Sequence, residues 1–311
     1  IPIRLRSAPA RVDVLGGLGA DAGGTLALMP GPLRNPVALQ PADRPFLTAR
    51  SPLLTPAIGM PVAEFALDDD PPADMPGTAW AAPLASLARM FRRLHPAAPP
   101  GYRMTIRGDI PPGAGQGSST AILVAMLLAM SDLANVVPDP TQGALLIRDA
   151  AHHAGAPAGN ARVIDALTSL LAGASPPAPR ADLLRFNAQP HQFIAHVPLP
   201  AHVRVLAMDT GIRHAAAPAT LDELRIAGAM GFRIIETIYR DLGQPPRALH
   251  GYLANTSPLL YRQYFRTLLP KRMRAADFAR AYGPLPPGPD AASGFYRVRT
   301  AVDHLIAEHE H

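Results

Sequence analysis

Residues 109–121, Asp-Ile-Pro-Pro-Gly-Ala-Gly-Gln-Gly-Ser-Ser-Thr-Ala, hold the parts of an anion site. Gly113, Gly115 and Gly117 let the backbone approach a ligand closely and adopt positive φ. The apolar run after them, residues 121–130, reads as a helix whose N-terminus adds N–H groups and partial positive charge. Backbone amides arranged this way suit phosphate. Ser118, Ser119 and Thr120 supply hydroxyls that can cap the helix or hold a magnesium ion. The plain alternative is a capped helix after a loop. No Lys follows the glycines, which excludes a P-loop, and their alternate spacing is not a dinucleotide-binding fingerprint.

The elements around the loop read as follows. Residues 102–106 form a strand that feeds it. Residues 83–94 have helical spacing, with Pro83 in the first turn and Arg89, Arg92 and Arg93 late, where the helix dipole favours cations. Two more helices are expected at 141–153 and 163–172. Short strands at 3–5 and 12–15 flank a turn at 7–10, a glycine-rich loop covers 16–24, and an apolar strand follows at 25–29. Proline punctuates 30–56, which therefore reads as loops and edge strands, and 174–180 as a surface connection. Residues 203–209 read as an apolar strand ending in Asp209-Thr-Gly-Ile-Arg-His214, and 221–239 as a long amphipathic helix. A boundary near 198–201 divides the chain into expected domains 1–199 and 200–311.

Composition narrows the function classes. At 311 residues the chain can bury a large core, and its low charge argues against disorder. The longest apolar run, residues 121–130, is too short to cross a bilayer, so no membrane partner is expected. The absence of cysteine removes disulfides, thiolate metal sites and a cysteine nucleophile, and suits the cytoplasm. The net charge of +5 comes almost wholly from scattered arginines, with Lys271 the sole lysine. Aromatics do not interleave with them, so a nucleic-acid partner is not expected either. Oligomeric state is not legible.

Four separated segments carry a resemblance. Ser7-Ala-Pro-Ala-Arg-Val-Asp-Val-Leu-Gly-Gly17 resembles the opening motif of the GHMP small-molecule kinases, and 111–121 resembles their second motif, P-x-G-x-G-L-G-S-S-A. Within that superfamily the chain is most similar to the arabinokinase branch, then to the galactokinase branch. The likeness includes Ala154-Gly-Ala-Pro-Ala-Gly159 and Asp209-Thr-Gly-Ile-Arg-His214, in the family's order. It implies an α+β fold of two domains with the active site in the cleft between them. It also implies ATP- and Mg²⁺-dependent phosphorylation of a monosaccharide at its anomeric hydroxyl. Such transfer needs positioning and charge neutralisation more than covalent chemistry. By this resemblance Pro112, Gly113, Ala114, Gly115, Gln116, Gly117, Ser118 and Ser119 cradle the ATP phosphates, and Ser119 binds Mg²⁺. Arg11 stabilises the transferred charge or positions the catalytic carboxylate. Asp13, Gly17, Asp21 and His214 face the sugar.

The chain also departs from the family. The family's catalytic Asp lies three residues after the Gly that matches Gly159, a count that lands on Arg162. Asp165 fits after a three-residue insertion, supported by Thr168, Ser169 and Gly173, and is taken as the base. The Mg²⁺-binding Glu of the family falls on Ala150, leaving its neighbour Asp149 as the candidate ligand. The sugar-binding Asp falls on Ala20, and one inserted residue restores Asp21. The family's third glycine-rich motif is absent, which fits either a C-terminal domain that is incomplete or a degenerate relative. The two function classes that follow are a sugar 1-kinase and a sensor that binds sugar or nucleotide without turnover.

Overall fold

The computed structural model describes residues 2–52, 61–69, 77–156, 159–173, 182–211, 218–245, 249–285 and 294–310. It resolves into two compact units. The first contains Ile1–Val12, Leu28–Leu184 and Phe193–Ile212, and the second Asp13–Ala27, Arg185–Gln192 and Arg213–His311.

The strands of the larger sheet are β1 (Arg4–Leu15), β2 (Thr25–Ala42), β3 (Phe46–Arg50), β4 (Val62–Ala66), β5 (Gly101–Ile106), β6 (Asp182–Ala188) and β7 (His191–Pro198). They form one sheet in the order β4-β3-β5-β2-β6-β7, with β1 on β2. β5 runs antiparallel to β2, from Val37 opposite Ile106 to Ala42 opposite Gly101, and parallel to β3. Both β1 and β2 differ from the sequence reading. β1 is one strand with no turn at 7–10, because Ala8 and Ala10 are buried and the extended φ fixed by Pro9 is compatible with a strand. β2 continues unbroken through Pro30, Pro32, Pro36 and Pro41 into the middle of the sheet. Each proline removes one donor, and the alternating burial of Val37 and Leu39 holds the strand on the core.

Among the described residues, the helices α1 (Ala82–Leu94), α2 (Ser118–Ala134), α3 (Pro140–His153) and α4 (Asn160–Gly173) complete the first unit. α2 is apolar around its circumference, as a fully buried helix is, and ends at Asn135 in the left-handed region. α3 starts where Asp139 accepts from the Gln142 amide at 2.8 Å. Of the arginines read as a dipole-complementing cluster on α1, Arg89 is instead buried. Its guanidinium donates to the carbonyls of Ala66 and Asp69 at 3.1 and 3.0 Å, tying the helix to the end of β4.

In the second unit α5 (Pro218–Asp241) packs on α9 (Val298–Glu310). Gly228 and Gly231 make this possible, since a Cβ at either would stand 2.5 Å from Leu305 and 2.2 Å from Val302. Met230, Ile234, Ile235, Phe278 and Val302 centre its core. The short helices α6 (Pro258–Leu260) and α7 (Arg266–Leu268) flank a π-wound turn, Tyr261–Phe265, and α8 spans Ala275–Tyr282. A small hairpin pairs β8 (Met273–Arg274) with β9 (Phe295–Tyr296). Residues 203–209, expected as a strand, belong to no strand, and Leu206 and Met208 are exposed.

Asp303 on α9 joins this unit's helices. It accepts from the Tyr261 hydroxyl at 2.8 Å and from Arg266 at 2.8 and 3.0 Å. Burial pushes the Asp303 carboxyl upward, but the hydrogen bonds from Arg266 and Tyr261 outweigh it and hold the group below the usual carboxylate range. A depressed native value stabilises the fold above the unfolded carboxyl's pKa of about 3.9. That contribution is lost as pH falls through the native value. Asp303→Ala strands the Tyr261 hydroxyl and is expected to cost roughly 1–3 kcal/mol at pH 7. Urea melts of both proteins should show this gap closing below about pH 4; a pH-independent gap would refute the linkage.

Candidate functional site

β5 runs directly into the glycine loop, and α2 leaves it. Gly113, Gly115 and Gly117 all adopt positive φ, at 71°, 77° and 75°. A non-glycine residue at these positions would be strained. Gly117 is the N-cap of α2 and no side chain caps the helix. The first-turn amides are therefore not consumed by the serines, contrary to the plain capped-helix reading. Pro112, Gly113, Gly115 and Ser119 are exposed, while Ala114, Gln116, Gly117 and Ser118 are half-buried.

Arg11 on β1 holds the loop from behind. Its backbone N–H donates to the Gln116 carbonyl at 3.1 Å and its guanidinium to the Gly115 carbonyl at 3.3 Å. A trans peptide is planar, so each carbonyl turned toward Arg11 sends the next residue's N–H the opposite way. The amides of Gln116 and Gly117 thus point away from β1, as an anion cradle requires. Gly117 also lacks the Cβ that would stand 3.1 Å from Arg11 Cγ.

The same guanidinium grips Asp165 on α4. Its Nη2 donates to Asp165 Oδ2 at 2.9 Å, and its Nε faces Oδ1 in a second, close contact. Only 15% of the Arg11 side chain and 14% of that of Asp165 are exposed. One arginine therefore links the loop to a carboxylate 154 residues away in sequence. α4 is anchored nearby, where the Ser169 hydroxyl donates to the Pro9 carbonyl at 3.4 Å. Of the two counts possible after Gly159, Asp165 is the residue brought to Arg11.

Other expected site residues are placed differently. Asp149 lies on α3, held at 2.7 Å by its neighbour Arg148, and no described contact joins it to Ser119. Ala150, beside it, is fully buried. Among the described residues no three His, Cys, Asp or Glu side chains cluster as a metal site. In the second unit Asp13 wraps Gly17, whose missing Cβ would stand 2.9 Å from the Asp13 carboxylate. Asp21 pairs with Arg225 of α5 at 2.8 Å, and Ala20 is fully buried. His214 lies outside the described residues. A separate cavity of about 390 Å³ beside Asp303 and Arg266 contains none of the expected site residues. No helix among the described residues is long and apolar enough to cross a membrane.

The sequence reading missed Asn35 on β2. It is 2% exposed and bonds to both ends of the glycine loop. The one available signal was an amide side chain in a strand, where Asn is depleted.

The model of the GHMP kinases N terminal domain matches residues 84–173, which include the loop, α2 and Asp165. An L-arabinokinase of Arabidopsis thaliana is 26% identical over 336 aligned residues, covering 88% of this chain and 31% of that protein. A galactokinase of Pyrococcus furiosus is 28% identical over 153 residues, covering 47% of this chain and 41% of its own length. The chain thus spans less than half the length of either relative. The structure of Lactococcus lactis galactokinase complexed with galactose has the same fold, with a TM-score of 0.66 across 99% of this chain and 67% of that one, at 13% identity. Residues 84–173 thus match the GHMP kinases N terminal domain, and the chain is similar to an L-arabinokinase and a galactokinase.

Proposed function

We propose that this protein is an ATP-dependent sugar kinase acting on the anomeric hydroxyl of a monosaccharide of the L-arabinose or galactose type. The observation that carries the reading is the double grip of Arg11, on the carbonyls of Gly115 and Gln116 and on the Asp165 carboxylate. The outward amides of the loop and the uncapped N-terminus of α2 receive the ATP phosphates. The exposed Ser119 hydroxyl suits Mg²⁺, which keeps several waters and takes few protein ligands beside phosphate oxygens. Bound there, the ion would neutralise phosphate charge. Asp165 takes the proton of the sugar hydroxyl as its oxygen bonds to the γ-phosphorus. The bond from phosphorus to the β,γ-bridging oxygen breaks, and ADP leaves. Arg11 orients the carboxylate and sets its positive charge beside the loop. The residues assigned to the sugar by the family resemblance are Asp13, Gly17, Asp21 and His214.

³¹P NMR of the product tests the acceptor position. Phosphorylation at the anomeric oxygen gives a phosphate signal coupled to the anomeric proton, and coupling to any other proton overturns that assignment. The sensor reading draws on the buried Ala150 and on Ala20 in place of two family carboxylates. It requires ATP or sugar binding with no ADP formed, and any sugar-dependent turnover eliminates it.

A further inference from the structure

Asn35 spans both ends of the loop. Its Nδ2 donates to the Ser118 carbonyl and to the Ser118 hydroxyl, each at 3.1 Å, and its Oδ1 accepts from the Ile110 amide at 3.4 Å. The neighbouring backbone continues the clamp, since the Asp109 amide donates to the Arg34 carbonyl and the Arg107 amide to the Pro36 carbonyl, both at 3.0 Å. Gly108 leaves room for the amide, because a Cβ there would stand 1.9 Å from Asn35 Oδ1. Donor and acceptor are both used, so the amide cannot be flipped without losing its contacts. In a side chain this buried, each of those bonds is costly to lose.

We propose that Asn35 is a positioning residue for nucleotide binding. It fixes the separation of Ile110 and Ser118, and with it the path of residues 111–117, before any ligand arrives. Arg11 holds the middle of the loop and Asn35 its two ends. A loop preset in this way loses less freedom on binding phosphate. The inference rests on the reading of the loop as the ATP site.

Asn35→Asp tests it with little change of shape. The carboxylate still accepts from Ile110 but faces the Ser118 carbonyl without a proton to donate. Gly108→Ala tests it from outside, by displacing the amide while leaving Asn35 in the sequence. Calorimetric titration of the full-length protein with Mg-ATP should show at least a ten-fold loss of affinity in both variants. KM for ATP should rise in step while KM for the sugar stays near wild type, and the lost buried bonds lower the thermal midpoint. Unchanged ATP affinity in both variants overturns the proposal. So does a parallel rise of both KM values, which marks a merely structural role. Failure of the wild type itself to bind Mg-ATP would sink the ATP-site reading and this inference with it, an outcome distinct from the other two.

Discussion

Asp165→Asn is expected to lower kcat by about 10²–10⁴, the usual cost of removing a positioned general base. The substitution keeps the size of the side chain and one oxygen toward Arg11, so the helix and the loop should stay in place. Affinity for Mg-ATP is therefore expected to stay within about two-fold of wild type, as for a group acting mainly in the transition state. Pre-steady-state measurement of the phosphoryl-transfer step separates the chemical effect from product release. An undiminished rate would remove Asp165 from the mechanism and reopen the count that lands on Arg162. The prediction is sharp because Asp165 is partly buried against the Arg11 guanidinium rather than on an open helix surface.

Arg11→Ala should do damage in two ways. It leaves the Asp165 carboxylate, 14% exposed, without that guanidinium, and breaking a pair this enclosed is expected to cost about 3 kcal/mol of stability. It also removes a positive charge beside the loop, for which about 10²–10³ in kcat/KM is expected. The backbone bond from residue 11 to Gln116 survives, so the loop should loosen rather than collapse. Arg11→Lys should rescue little, since an ammonium cannot contact Gly115 and both carboxylate oxygens as the planar fork does. Arg11→Ala combined with Asp165→Asn should be barely slower than the worse single variant, because the two act as a unit. Additive losses in that cycle would show that they act independently.

What was legible in the sequence follows from the range of each interaction. The glycine loop, the strand before it and the buried helix after it are local patterns, and all three stand in the structure. The pairing of Arg11 with Asp165 is not local. Motif order brought both residues forward, but only folding places β1 against α4 and brings Asp165 to Arg11. Proline misled where it was read as a breaker. β1 and β2 continue through five prolines because burial of small and apolar residues on the sheet outweighs the lost donors. Residues 203–209 misled in the opposite sense, since apolar composition makes a strand only where a partner completes its hydrogen bonds. Arg89 and Asn35 carry polar side chains whose partners lie in other elements, so spacing alone gave no warning of their burial.

The central claim is sugar-dependent phosphoryl transfer, and ADP release by the full-length protein with Mg-ATP and a panel of sugars tests it most directly. The panel should include L-arabinose and D-galactose. Saturable ADP release that depends on one of the sugars and vanishes in Asp165→Asn is the result this account predicts. A folded protein that binds Mg-ATP yet releases no ADP with any sugar would contradict it.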